Sequence, residues 1–227
     1  MYPNLGKGWR LAGTPTPPTS RGRPDPDAAR ALYQRHAEDY DLQTDWAGDD
    51  RARAVDLLGL EPGDTVLDVG CGTGLCFAAI EERIGPEGRL VAIEPSVDML
   101  GKAGERVARA GWANVDFRLG LAEEQLRPDD RLDAALFCFT HDVLRSKPAL
   151  EAIVARLRPG GRVAVVGPMW APWWAPAMNL LVWYVTSDYV TTFEGFSHPW
   201  NHLADLVPGL EVERHDLAGE YFAWGTI

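Results

Sequence analysis

The sequence predicts an α/β fold: a seven-stranded, mostly parallel sheet with helices on both faces and an antiparallel terminal hairpin strand. Three observations predict it. Val66-Leu67-Asp68-Val69 is apolar enough for a strand buried on both faces, and it runs into three alternating glycines, Gly70, Gly72 and Gly74, before a helical pattern begins at Leu75. Further aliphatic runs, Leu90–Ile93, Val115–Leu119, Leu132–Phe139 and Val163–Val166, alternate with helical segments, as parallel strands with crossover helices require. Finally, Glu211–Asp216 and Tyr221–Thr226 flank Ala218-Gly219 and read as a hairpin.

At 227 residues, with 46% hydrophobic and 24% charged residues, the chain fits one soluble domain with an appended arm. A formal net charge of -11 repels phosphate backbones and argues against nucleic acid as the main partner. Small molecules or proteins remain. Three cysteines, Cys71, Cys76 and Cys138, lack framework spacing, which predicts a reducing compartment without disulfides, and no Cys or His pairs stand at metal-ligand spacing. The amino-terminal segment has no apolar core of signal type, so the expectation is a cytoplasmic protein.

In chain order, residues 1–25 are rich in Pro, Gly, Thr and Arg and read as a flexible arm; 26–227 read as one domain. Asp27 can cap a helix carrying Tyr33 and Tyr40, and Asp49–Leu58 reads as a second helix packing Leu57 and Leu58 beneath the sheet. Glu61-Pro62-Gly63-Asp64 turns into the first strand. The glycines that follow let backbone approach a ligand closely, and the next helix, ending near Arg83, points its amides at the turn. Glu94 closes the second strand about twenty residues past the glycines, where an acid can accept both hydroxyls of a ribose. Ser96 caps the next helix. Gly120-Leu121-Ala122 follows the third strand; Thr140, His141 and Asp142 follow the fourth at the carboxyl edge of the sheet. A helix over Leu150–Leu157 and the turn Arg158-Pro159-Gly160-Gly161 lead into the fifth strand.

The stretch Val66–Gly74 resembles the first motif of class I S-adenosylmethionine (SAM)-dependent methyltransferases. A dinucleotide site would place its third glycine one residue later. Glu94-Pro95-Ser96-Val97-Asp98-Met99-Leu100, the strand Leu132–Phe139 and Leu157-Arg158-Pro159-Gly160-Gly161 are similar to further motifs of that family, and Tyr33–Asp41 looks like the aromatic-acid pattern of its ubiquinone/menaquinone-type members. The resemblance covers about residues 30 to 167. It implies a Rossmann-like fold and SAM as cofactor. It further implies cofactor contacts from Asp68, Gly70, Cys71, Gly72, Gly74, Glu94 and Pro95, with Met99 beside the adenine, Phe137 beside the sulfonium, and Tyr33 and Tyr40 near the methionine end. Where the family usually has Gly-Asp-Ala, this chain has Gly120-Leu121-Ala122; the backbone of Leu121 and Ala122, or Glu123, would then hold the adenine.

Residues 168–209 read as an insert over the acceptor. Five of nine tryptophans lie between Trp170 and Trp200, and no residue from Val163 to Ser187 is charged. Pro168, Pro172 and Pro176 interrupt any membrane span there. A helix over Ala177–Tyr189 would present Tyr184, and Trp170, Trp174, Tyr184 and His198 would line a pocket for an apolar, aromatic or polycyclic small molecule. A dimer interface is the alternative use of this surface. Where the acceptor must lose a proton, His141 is the first candidate base and His198 the second; His36 and His215 are worse placed. Two other readings stay open: a cyclase or lyase that uses bound SAM without methyl transfer, and a non-catalytic SAM-binding partner subunit.

Overall fold

A computed structural model describes Pro24, Asp25, residues 27–29 and residues 40–227. Tyr33, His36 and residues 1–23 of the expected arm lie outside the described residues.

Seven strands form one sheet in the order β3-β2-β1-β4-β5-β7-β6. They are β1 (Thr65–Val69), β2 (Arg89–Glu94), β3 (Val115–Leu119), β4 (Leu132–Cys138), β5 (Leu157–Pro168), β6 (Glu211–His215) and β7 (Glu220–Thr226). Every pairing from β3 to β5 is parallel, while β7 runs antiparallel to both β5 and β6. The direction of winding reverses between β1 and β4, and such a switch point opens a crevice beyond the carboxyl ends of those strands.

Alternate side chains of each strand enter opposite halves of the core. Leu67, Val69, Val91, Ile93 and Phe137 pack on one face with Leu150 and Ile153 of the helix Lys147–Val154. Val66, Leu90, Ala92, Leu136 and Val166 pack on the other with Phe77, Ile80 and Ile84 of the helix Phe77–Ile84. Phe137 therefore spends its ring on the core. It is fully buried beside its register partner Val69 and is not among the residues that border the cavity of the candidate site.

Several boundaries differ from the sequence reading. The fifth strand begins six residues early, at Leu157, because its glycine turn still pairs: the Gly160 amide donates to the Ile227 carbonyl at 2.9 Å and Arg158 reaches Asp133 at 2.5 Å. The helix before it starts at Lys147, where the Ser146 hydroxyl accepts the Ala149 amide and Pro148 occupies the first turn. The helix of the insert spans Pro176–Thr186 and ends sooner than its composition suggests, with the Thr186 hydroxyl turned back on the Val182 carbonyl at 2.7 Å.

Charges are concentrated on the two outer strands. On β3, Arg118 is buried and grips Asp130 with two bonds of 2.6 and 2.8 Å while also reaching Asp116 at 2.9 Å. On β6, Glu213 pairs with Arg53 at 2.7 Å, and His215 sits between Glu213 and Glu220 at 2.6 and 3.0 Å. Both carboxylates raise the His215 pKa, so this histidine belongs to a surface ion cluster.

Candidate functional site

The glycine turn is built on backbone that only glycine adopts readily: φ is +63° at Gly70, +56° at Gly72 and +79° at Gly74. A Cβ at Gly70 would stand 2.9 Å from the Thr140 methyl, and one at Gly74 would stand 2.7 Å from the Phe77 ring. Gly72 is different, since a Cβ there would meet nothing within 4 Å and would project into open space. The turn is held against the second strand by the Cys71 amide, which donates to the Ile93 carbonyl at 3.1 Å.

Glu94 joins this turn to the next one. Its carboxylate accepts the Gly72 amide at 3.1 Å on one oxygen and the Ser96 amide at 2.9 Å on the other. Each oxygen keeps a lone pair for a further donor. Burial pushes the Glu94 pKa up to about 7, and these two amides oppose the shift. Asp68 is also raised to about 7, first by burial and then by the charge of Glu94, with Arg51 opposing. Its Oδ2 is buried without a hydrogen-bond partner.

A third segment is tied to the turn through residues the sequence reading missed. Asp41 accepts the Thr73 hydroxyl at 2.5 Å and the Arg106 guanidinium at 2.6 Å, and Arg106 also donates to the Thr73 carbonyl at 3.0 Å. This network seats the helix Tyr40–Thr44 over the turn and brings Tyr40 to it. The Tyr40 ring stands edge-on to Tyr189 at 5.8 Å, and burial raises its phenol pKa. No spacing rule connects positions 41, 73 and 106, which meet only in the folded chain.

These groups border a cavity of about 640 Å³. Its lining includes Glu94, Pro95, Met99 and the Leu121-Ala122-Glu123 turn, Gly70, Gly72 and Tyr40, and Phe139, His141 and Arg145. A polar recess of about 20 Å³ adjoins it, bordered by Asp68, Arg51, Cys71, Thr73 and Cys76. Phe139, with φ of +58°, is the one non-glycine residue among the described residues in the left-handed region. Its ring borders both spaces.

His141 is 3% exposed, lies against Phe196 at 4.5 Å and has no hydrogen-bond partner at either ring nitrogen. Burial, helped by the Arg145 charge, lowers its pKa to about 4; the nearby Glu194 backbone opposes this without reaching hydrogen-bond geometry. The ring is thus neutral at neutral pH. Asp142 accepts both the amide and the hydroxyl of Thr191, whose hydroxyl also receives the Asp25 amide at 3.0 Å. Three distant segments therefore meet at the rim.

The structure does not bring the insert's expected aromatic residues to this cavity. Trp170 stacks on Phe193 at 5.2 Å and packs against Phe196, because aromatic side chains of the insert satisfy one another first. Trp174 and Tyr184 face outward, and exposed His198 stands edge-on to Trp200. The insert instead contributes Glu194 and His202 to the lining. Gly74 serves packing on Phe77 and is not among the lining residues.

The residues present fit SAM. Glu94 offers two oxygens to ribose hydroxyls, unpartnered Asp68 Oδ2 suits the methionine ammonium, and open space stands where a Gly72 Cβ would project. Pro95, Met99 and Ala122 give the apolar flanks an adenine needs. Glycine turn, strand-end acid and strand order are together the features that a SAM-binding domain of the methyltransferase type needs.

Residues 66–161 match the family described as Methyltransferase domain. The chain is 34% identical over 121 residues to nocamycin O-methyltransferase of Saccharothrix syringae, across 53% of this chain and 43% of that protein. It is 30% identical over 148 residues to ubiquinone/menaquinone biosynthesis C-methyltransferase UbiE of Hydrogenovibrio crunogenus, across 60% of this chain and 57% of that one. The chain thus spans about half the length of these curated relatives. Among solved structures, a SAM-dependent methyltransferase from Aquifex aeolicus shares the fold at a TM-score of 0.55 and 21% identity, covering 89% of this chain and 98% of that one. The match to the methyltransferase domain covers residues 66–161, and the fold is shared with the SAM-dependent methyltransferase structure.

Proposed function

We propose that the chain transfers the methyl group of SAM to a small acceptor with an apolar, aromatic or polycyclic body. The observation that carries this reading is the continuity of the cavity from Glu94 to His141. Bound SAM supplies an electrophilic methyl on a sulfonium, so the protein's main task is alignment. Glu94 accepts the ribose hydroxyls, Asp68 faces the ammonium, and the Leu121-Ala122 backbone stands where a family acid would hold the adenine. Phe139, Val143 and Pro148 give the acceptor an apolar wall. Where the acceptor must lose a proton, neutral His141 takes it. The insert supports the reading as a lid, since Thr191 ties it to Asp142 and Glu194 and His202 border the cavity. Phe137 gives the cyclase or lyase reading no support from its place in the core.

Calorimetry with S-adenosylhomocysteine (SAH) tests the reading. Glu94→Ala is expected to weaken SAH by more than about tenfold through loss of charge-assisted bonds. An unchanged affinity takes Glu94 out of the cofactor site, and no SAH binding by the natural chain sinks the reading.

The raised acids give a second expected result. Hydroxyl and ammonium donors favour the carboxylates, so SAH affinity should rise with pH, by up to about tenfold per pH unit for each group still below its pKa. Both groups sit near 7, which puts the rise below and around neutrality and ends it above. For the ligand-free chain the sign reverses. The native state holds these protons more tightly than the unfolded chain, so its stability falls as pH climbs from the ordinary values of 3.8 and 4.5 toward 7. SAH affinity that is flat with pH would exclude both acids from coupling to the ligand.

A further inference from the structure

The cavity lining carries charges of both signs. Asp68, in the adjoining recess, and Glu94 are acidic. Arg145 and Lys147 also border the cavity, in a chain whose net charge is -11. Arg145 directly follows the short helix His141–Leu144, and its side chain is 11% exposed. Its Nε is buried without a hydrogen-bond partner. Its ionic neighbour is Glu194, at 4.0 Å, a separation too long for a hydrogen bond, and that glutamate is half exposed.

The guanidinium is also held in place. It lies against the backbone of Gly195, where φ is +72° and a Cβ would stand 2.6 Å from Cζ. A side chain at that position would displace the fork. On the same wall the helix Lys147–Val154 opens toward the cavity, its first residues among the lining. The acids nearby have other partners: Asp142 accepts Thr191, and exposed Glu123 reaches the Ser146 hydroxyl at 3.5 Å. The positive field extends to both cavity histidines, since Arg145 lowers the pKa of His141 and, with Lys147, that of His202, after burial as the first cause.

We infer that the acceptor carries an oxyanion, a carboxylate or a phosphate, which Arg145 receives beside His141. The inference rests on the methyltransferase reading and specifies its substrate class: an aryl or polycyclic acid rather than a neutral hydrocarbon body. A planar guanidinium fork matches two oxygens of such a group, and exposed Lys147 adds charge to the same lining. The anion then fixes the orientation of the acceptor relative to His141. Arg145 acts as a specificity-determining residue.

The test uses SAH-saturated protein and three probes of matched ring size: 2-naphthoate, 2-naphthyl phosphate and neutral 2-naphthamide. At least one anion is expected to bind more than about tenfold tighter than the amide, and the tighter of the two names the oxyanion. Arg145→Gln should bring anion and amide within about twofold of each other while SAH affinity changes by less than about twofold. Glu194→Gln, which leaves Arg145 in place, should tighten the anion about threefold by removing the competing carboxylate. Equal affinity for anion and amide, no anion binding to SAH-loaded protein, a preference that survives Arg145→Gln, or no gain in Glu194→Gln overturns the inference. Failure of SAH itself to bind overturns the methyltransferase reading instead, so the two failures are distinguishable.

Discussion

Replacing His141 with leucine is expected to lower turnover by about 10²–10⁴-fold while leaving SAH affinity within about twofold. The residue is almost wholly buried, yet neither ring nitrogen finds a protein partner. Such burial costs about 1–3 kcal/mol when unrelieved. Leucine in the same place, against Phe196, removes that cost, so the variant should unfold at the same temperature as the natural chain or higher. Turnover and stability moving in opposite directions is the signature of a group kept for chemistry. With a pKa near 4, the ring stays neutral through the neutral range, and the acid limb of a pH–rate profile should lie far below neutrality. Single-turnover formation of SAH together with thermal unfolding checks both halves. Unchanged turnover removes His141 from the reaction.

Arg118→Leu is expected to cost about 3–5 kcal/mol of stability, the largest effect of a substitution outside the cavity. The guanidinium is 2% exposed and Asp130 4% exposed, so removing the cation leaves a buried carboxylate with its desolvation uncompensated. Asp130 also accepts the Arg127 amide at 2.6 Å, which partly shelters it. The pair-deleted variant Arg118→Leu/Asp130→Leu should regain most of the loss, since no lone charge then remains. Urea unfolding measures both. A single-variant loss below about 1 kcal/mol would show that this pair behaves as an exposed one does.

The parallel half of the sheet was legible because each strand is a local pattern. Val115–Leu119 needs no partner to be recognised, and Glu94 is marked by its distance from the glycines. The start of β5 was less legible, because Arg158–Gly161 looks like a turn until Asp133 and Ile227 supply partners. The Ser146-Lys147-Pro148 cap is a local signal of the same kind as the strands. In the candidate site, Glu94 declared itself through spacing and Asp68 and Met99 through the family resemblance, whereas Asp41, Arg106, Arg145 and Glu194 matter only through contacts between elements far apart in the chain. Aromatic content pointed to the insert but not to the direction of its rings. Composition records how much apolar surface must be buried, and packing decides against what; here Trp170 chose Phe193 and Phe196.

The charges on the two outer strands bear on how the molecule behaves in a crowd. An open sheet has unpaired amides and carbonyls along each margin, which can template a neighbour's strand into a growing ribbon. On β3 that margin carries Asp116 with Arg89 and Arg127 gathered around it; on β6 it carries Glu213 and the His215 cluster. A second chain adding a strand at either margin would have to strip water from these ions with no replacement partners to offer. The ions on both outer strands therefore disfavour strand addition by a neighbouring chain.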